Sequence, residues 1–487
     1  MRTIPKITRK FAAYAFALTF QGGLALAQDA PMPGMQMQHQ HAGDSGATLK
    51  TELPRFGATQ KNASGPLFDL SQALQTAKAG NPTFRQAEAG LQAARARAVQ
   101  AGLYPNPLVG YAGDEIRGGE THGGKQGFFF EQTIVTGGKL ALARTAAEKE
   151  VRLAEIEAEE QELRVQTSVK MAFYRVLAAQ ELADCRASLA QIAEQEAQIQ
   201  QGLANTGQAD ETEVLAARVE AQRARLAARM KENTLREEWR TLAAVMGRPD
   251  MPLQTVAGDL EHGWPELSEA EAVDRVAQQS PAVRIAAAAR EQANAALARA
   301  QREKIPDIVA RAGVEYNHES LNALPQAIGW QANAQLAMAL PIFNRNQGNV
   351  AAERAAIDRA QAEEQRVALT LRDRAATVID QYANARLMAE QYRDNLLPLA
   401  RRSYTLMAER HAEMLAAYPR VLETQRKLFE LHFEYLGALE SVWTTGLELQ
   451  GFLLSDGLEA PARPGEMDRA IRETNVPMPE RLRSPGE

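Results

Sequence analysis

Five side chains near the start of the chain have the chemistry to hold a soft metal ion: Met32, Met35, Met37, His39 and His41. Thioether and imidazole groups at this spacing suit Cu(I) and similar ions. The glycine, proline and glutamine around them equally describe a polar linker that cannot build a core. No other cluster points to a reaction centre. Cys185 is the only cysteine, which excludes a disulfide framework, a cysteine-based zinc site and an iron–sulfur cluster. On a helical stretch it reads as a small packing residue. Gly137-Gly138-Lys139 lacks the upstream glycine and the downstream Ser/Thr of a phosphate-cradling loop. There is no H-E-x-x-H and no G-x-S-x-G, and His122, His262, His318, His411 and His432 are scattered. The reading is a protein without catalysis and without a cofactor.

What must position any functional residue is a chain of 487 residues, of which 24% are charged and only 6% aromatic. That balance favours long, shallow-packed helices over a large compact core. The net charge of −6 mixes both signs along the chain, so nucleic acid is not an expected partner. Arg2, Lys6, Arg9 and Lys10 precede an apolar run from Phe11 to Phe20 and an Ala25-Leu26-Ala27 end. This is the plan of a secretory signal peptide, residues 1–27. Gln28 rather than cysteine follows, so no lipid anchor is expected there. Residues 28–65 read as a disordered Met/His-containing linker, and the proline-bearing residues 460–487 as a disordered tail. No later apolar stretch approaches 18 residues, so an exported chain of this kind enters a membrane only as a β-barrel.

Between linker and tail the chain reads as two copies of one plan, residues 66–250 and 251–459. Each begins with a short helical pattern and a helix start with proline at the first position, Asn81-Pro82 and Ser280-Pro281. Each helix stops at a proline-bearing break, Tyr104-Pro105-Asn106-Pro107 and Ile305-Pro306-Asp307. Short β-like stretches follow, then a very long helix and a returning partner near 209–245 and 418–454. From Gly138 to Leu203, and again from Asn346 to Arg410, the helical pattern implies rods of roughly 100 Å at about 1.5 Å per residue. Pro398 is expected to kink the second. The three/four spacing of Leu140, Ala143, Ala147, Val151, Ala154 and Ala158 predicts a thin seam between closely approaching helices.

Residues 307–317 and 327–340 alternate between an apolar set (Ile308, Ala310, Ala312, Val314, Tyr316; Ile328, Trp330, Ala332, Ala334, Leu336, Met338, Leu340) and a small or polar set. Arg311, Glu315 and Gln331 belong to the second set. This is the lipid-out, water-in alternation of a membrane barrel strand. Residues 107–116 and 126–135 are the first-half counterparts, where Phe128, Phe129 and Phe130 blur the alternation. A pair of hairpins lying on a soluble helical bundle is the competing reading. Four strands cannot close a barrel, and open edges in hydrocarbon cost several kcal/mol per orphan backbone group. A chain of this design therefore has to share its barrel with copies of itself.

The order of these features resembles the TolC-type outer-membrane efflux family, over nearly all of the chain between its two ends. The motifs are Asn81-Pro82, Gln132-Thr133-Ile134-Val135-Thr136-Gly137-Gly138-Lys139 at the first strand-to-helix junction, and Leu340-Pro341-Ile342-Phe343-Asn344 at the second. Thr133 stands where that family usually has proline. The resemblance implies an α+β membrane protein. Three chains with four strands each would form a 12-stranded outer-membrane β-barrel, continued by a long α-helical periplasmic barrel with an internal two-fold repeat. It implies a homotrimer in outer-membrane lipid that meets a periplasmic adaptor and an inner-membrane RND pump. The adaptor contacts carried over are the helix-hairpin tips Gly207, Gln208, Ala209 and Asp210, and Met414, Leu415 and Ala416, with Met414 in place of glycine. The Met/His tract, Phe429-Glu430-Leu431 and Asp456-Gly457-Leu458-Glu459 look closest to the heavy-metal (Czc/Cus-type) branch. The expected function is an exit duct for ions such as copper, silver, cobalt, zinc or cadmium. A duct for drugs or secreted polypeptide and a periplasmic coiled-coil scaffold are the alternatives. Arg311, Glu315 and Gln331 are the expected lumen-facing residues.

Overall fold

The computed structural model describes residues 67–115, 124–320, 327–416 and 418–461. The expected signal peptide, the expected linker with its five Met/His residues, and the expected tail beyond residue 461 lie outside the described residues. The first half runs α1 (Leu70–Gly80), α2 (Pro82–Ala101), β1 (Leu108–Asp114), β2 (Lys125–Ile134), α3 (Lys139–Asn205) and α4 (Glu211–Val245). The second half repeats the order as α5 (Glu269–Gln279), α6 (Pro281–Arg302), β3 (Ile308–Ser320), β4 (Ala327–Met338) and α7 (Gln347–Gln391). A π-helical turn at Tyr392–Leu396 leads into α8 (Leu397–Ala412), and α9 (Tyr418–Gln450) ends the series. The internal duplication is thus visible element by element.

Local chemistry sets the helix starts. Asp69 and Gln72 form a reciprocal capping box for α1. Asn81 and Ser280 cap α2 and α6 through their side chains, each followed by proline at the first helical position. α3 is one helix of 67 residues, about 100 Å long. Its counterpart is continuous from Gln347 to Ala412, but the break expected at Pro398 takes the form of the π-helical turn just before it. Proline removes an N–H from the ladder, and a widened turn absorbs the lost bond.

The thin seam expected along α3 holds only near its start, where the stripe residues are mostly half-buried. From Leu153 to Cys185 this helix is buried on nearly every side. There Val169, Phe173, Val176 and Leu177 form one core with Ala73 and Ala77 of α1, Ile379 and Tyr382 of α7, and Tyr435, Leu439 and Trp443 of α9. The segment between the halves closes this core. Trp239 Nε1 donates to the Met251 carbonyl at 3.0 Å, Trp443 Nε1 to that of Leu260 at 2.9 Å, and the Tyr382 hydroxyl to that of Pro265. Phe68 and Val256 form a parallel bridge beside them. Asn81 Nδ2 donates to the carbonyls of Val245 (2.8 Å) and Gly457 (3.1 Å), joining α2, the end of α4 and the segment after α9. Gly80 is needed beside it, because a Cβ there would lie 2.4 Å from the Met246 carbonyl oxygen.

Away from this core the long helices lie side by side in the order α4, α3, α9, α8. The outer two carry exposed apolar residues: Leu215, Val219, Leu226 and Met230 on α4, Leu399 and Leu406 on α8. The four strands form one antiparallel sheet in chain order, β1-β2-β3-β4. No helix among the described residues is long and apolar enough to cross a membrane.

Candidate functional site

The sheet sorts its residues by the two-residue period of a strand. The register pairs Val109 with Phe130, Tyr111 with Phe128, Phe128 with Val314 and Phe130 with Ala312. It also pairs Tyr316 with Trp330, Ala310 with Leu336 and Ile308 with Met338. Partners across a ladder share a face, so these residues make one apolar face, and most of its large side chains are exposed. Tyr111 packs edge-on against Phe128 (5.4 Å) and Tyr316 against Trp330 (5.5 Å), which gathers aromatics near the β1–β2 and β3–β4 turns.

The other face is polar. Glu131 pairs with Arg311 and Arg311 with Gln335; Gly127 pairs with Glu315 and Glu315 with Gln331. Arg311, Glu315 and Gln331 therefore do share one face. Asn333 Nδ2 donates to Glu315 at 3.2 Å, and Asn317, almost fully buried, donates to Gln331 at 3.4 Å. Phe129 settles the ambiguity of three successive rings, since Phe128 and Phe130 lie on the apolar face and Phe129 on the polar one. Its ring covers Gly110, where a Cβ would fall 2.5 Å from it. The Arg311 guanidinium sits 3.8 Å from the ring centroid, so a cation is held flat against an aromatic surface among polar neighbours.

Where strand meets helix, the two halves lock together. Lys139 Nζ lies 2.7 Å from Asp307 Oδ1 and donates to the Ile305 carbonyl at 2.9 Å. The Thr136 N–H donates to the same carboxylate oxygen at 2.9 Å. Burial pushes the Asp307 carboxyl up, but Lys139 and the Thr136 N–H outweigh it and hold it below the usual range. The lysine excluded from a phosphate loop thus ties the end of β2 to the start of β3. Spacing gives no sign of this, because its partner is 168 residues away. The entrance to each long helix uses a left-handed residue, Gly138 (φ +71°) and Asn346 (φ +61°), glycine in one half and asparagine in the other.

The hairpin tips lie at the far end of the helices. Gly207 ends α3 in the left-handed region at φ +74°, and Gln208, Ala209 and Asp210 lead into α4. In the second tip Met414 takes the same region at φ +58° with its side chain 95% exposed; Leu415 is exposed and Ala416 half-buried beside it. The first tip is polar and the second apolar. Cys185 is buried in the helical rod, and burial pushes its thiol up to about 12. Among the described residues no group of His, Cys, Asp and Glu is arranged to hold a metal ion.

This geometry has close relatives. The family model described as "Outer membrane efflux protein" matches residues 73–248 and 272–452, one stretch in each half. The cobalt-zinc-cadmium resistance protein CzcC of Cupriavidus metallidurans is 25% identical over 410 residues, covering 84% of this chain and 94% of that protein. Among solved structures, a membrane protein from Pseudomonas aeruginosa superimposes with a TM-score of 0.64 at 16% identity, covering 79% of this chain and 92% of the other. The outer membrane protein VceC from Vibrio cholerae does so with 0.60 at 19% identity, covering 80% and 97%. At these identities the structures speak for the fold.

Proposed function

The chain belongs to the outer membrane efflux protein family, and from that premise we propose that it is the outer-membrane exit duct of a tripartite pump that expels heavy-metal ions. One observation carries the duct: a four-stranded ribbon with an apolar face, a polar face, and outer strands β1 and β4 that each have only one neighbour among the described residues. Such a ribbon is stable in hydrocarbon only when further copies complete its hydrogen bonds. Three copies would place twelve strands around one lumen, with Arg311, Glu315 and Gln331 lining it. The exposed apolar stripes on α4 and α8 support the same closure, since one copy's α4 would pack on the next copy's α8. The duct itself catalyses nothing and draws energy from an inner-membrane RND pump through a periplasmic adaptor. Gly207, Gln208, Ala209, Asp210, Met414, Leu415 and Ala416 are the proposed adaptor contacts, with the second tip supplying the apolar part of the contact.

The likeness to CzcC supports metal ions as cargo. Met32, Met35, Met37, His39 and His41 would hold soft ions by thioether and imidazole coordination. The test is tolerance in a strain lacking the chain, restored with the full-length protein or with residues 31–41 deleted. Restored tolerance to cobalt, zinc, cadmium or copper that falls on deletion supports the whole reading. Tolerance restored only to antibiotics assigns the duct to drugs. A soluble protein without heat-modifiable oligomers after cell fractionation points instead to a periplasmic scaffold.

A further inference from the structure

The two hairpin tips end their helices with the same turn but not with the same chemistry. In the first, the Gly207 N–H donates to the Ala204 carbonyl at 3.0 Å and the Gln208 N–H to that of Leu203 at 2.8 Å. In the second, the Met414 N–H donates to the His411 carbonyl at 2.9 Å and the Leu415 N–H to that of Arg410 at 2.7 Å. These are the paired closing bonds of a Schellman turn, which puts Gly207 and Met414 at equivalent places. Counting back from them by three and by seven residues gives Ala204 and Gln200 in the first tip, His411 and Met407 in the second. One half carries no soft donor at these positions; the other carries thioether, imidazole and thioether.

The backbone gathers the three donors. Met407 and His411 are four apart on α8, so they share a face with Cβ atoms about 5–6 Å apart. The turn holds Met414 against the last turn of the same helix. His411 Nδ1 lies 3.0 Å from the Ala416 carbonyl oxygen. A carbonyl only accepts, so Nδ1 carries the hydrogen and the neutral ring has its lone pair on Nε2. An imidazole held in this way through one nitrogen is preset to ligate through the other. Met414 is 95% exposed at φ +58°, a backbone that glycine adopts freely and methionine only with strain. Strain kept at an exposed position points to a use for the side chain. Glu409 and Glu413 each stand two residues from His411, on the other side of the helix. Among the described residues His, Cys, Asp and Glu alone form no metal-holding group, and here two thioethers complete the set.

We propose that Met407, His411 and Met414 form a binding site for a soft monovalent cation, Cu(I) or Ag(I), one in each chain at the second hairpin tip. Thioether sulfur with imidazole nitrogen selects such ions over Zn(II) and Co(II), and no carboxylate is at hand to reverse the preference. The site narrows the cargo of the proposed duct to soft ions, and in that respect it rests on the metal-export reading. The binding itself does not, and the test separates the two.

In purified protein lacking residues 31–41, equilibrium dialysis against Ag(I) should find one tight site per chain. Met407→Leu/Met414→Leu, which conserves volume, should weaken it at least tenfold, and so should His411→Gln. Met388→Leu removes another exposed thioether and should change nothing. X-ray absorption of Cu(I)-loaded protein should show sulfur and nitrogen around copper, with the sulfur lost in the double variant. Absence of tight Ag(I) binding, a loss shared by Met388→Leu, or displacement of Ag(I) by equimolar Zn(II) overturns the site. Tolerance assays then test its use. Protein that binds Ag(I) here yet restores no metal tolerance leaves the site standing and overturns the metal-export reading. Silver tolerance that the native protein restores and the double variant restores equally overturns the site's part in transport.

Discussion

Lys139 and Asp307 meet at 2.7 Å from opposite halves of the chain, at the level where strands become helices. The lysine side chain is 9% exposed and the aspartate 34%, so removing the carboxylate strands a nearly buried ammonium with one carbonyl partner. Asp307→Asn is expected to lower stability by about 1–3 kcal/mol, the lower end reflecting solvent at the aspartate. Lys139→Met/Asp307→Leu should recover at least half of that loss. The carboxyl is held below its ordinary value of 3.8, so the pair's contribution is complete above that value and vanishes as pH falls through the folded pKa. Denaturant unfolding of native protein and Asp307→Asn should therefore differ at neutral pH and converge in acid.

Glu157 behaves in the opposite sense. Burial, then the nearby Glu160 and Glu150, lifts its carboxyl to about 7 from 4.5. Between those values the folded protein holds a proton that the unfolded chain has lost, so this group's contribution to stability declines as pH rises from 4.5 to about 7. Glu157→Gln should stabilise the protein at pH 8 by about 1–3 kcal/mol and have little effect at pH 5. Melting curves at the two pH values decide it; equal gains at both would refute the pH assignment.

The two tips should respond in opposite directions to the same kind of change. Gly207 and Met414 share a left-handed backbone that glycine adopts freely and methionine does not. Met414→Gly is expected to raise stability by about 0.5–1 kcal/mol and Gly207→Met to lower it by about 1 kcal/mol. Hydrogen exchange of the amides near 411–416 and 203–208 reads the local effect. If Met414 is an adaptor contact, Met414→Gly weakens adaptor binding while it steadies the turn, a split that a purely structural role would not produce.

Cys185 should be silent in the native state. With its thiol raised to about 12 by burial, almost no thiolate exists at pH 8. A disulfide reagent should label it only at the rate of unfolding, and a fast burst of labelling would show that the helix opens locally there.

Much of the fold was legible because its signals are local. Pro82 and Pro281 mark helix starts without reference to anything distant, and the alternation from Ile308 to Tyr316 assigns each residue to a face. Three successive phenylalanines have no internal phase. Only the glycines opposite Phe129, Gly110 and Gly313, show which ring turns toward the polar side. The core around Phe173 was hidden for a different reason. A helix buried on every side has no stripe to read, so a pattern that predicts a thin seam fails where packing is thickest. Lys139 carries no local signal, because its partner Asp307 is distant in the sequence. Pro398 signals a disturbance locally, but that the chain absorbs it with a widened turn at Tyr392–Leu396 depends on the helix around it.

Asn81 has a consequence for how the molecule comes into being. Its amide waits for two carbonyls, and the second, at Gly457, lies 376 residues further along the chain. During export the first half emerges with its helix cap formed and that hydrogen bond unmade. The knot at the middle of the molecule is tied only when nearly the whole polypeptide has crossed. Closure over so long a separation is slow, so the Asn81 amide stays bound to water until the far end of the chain arrives.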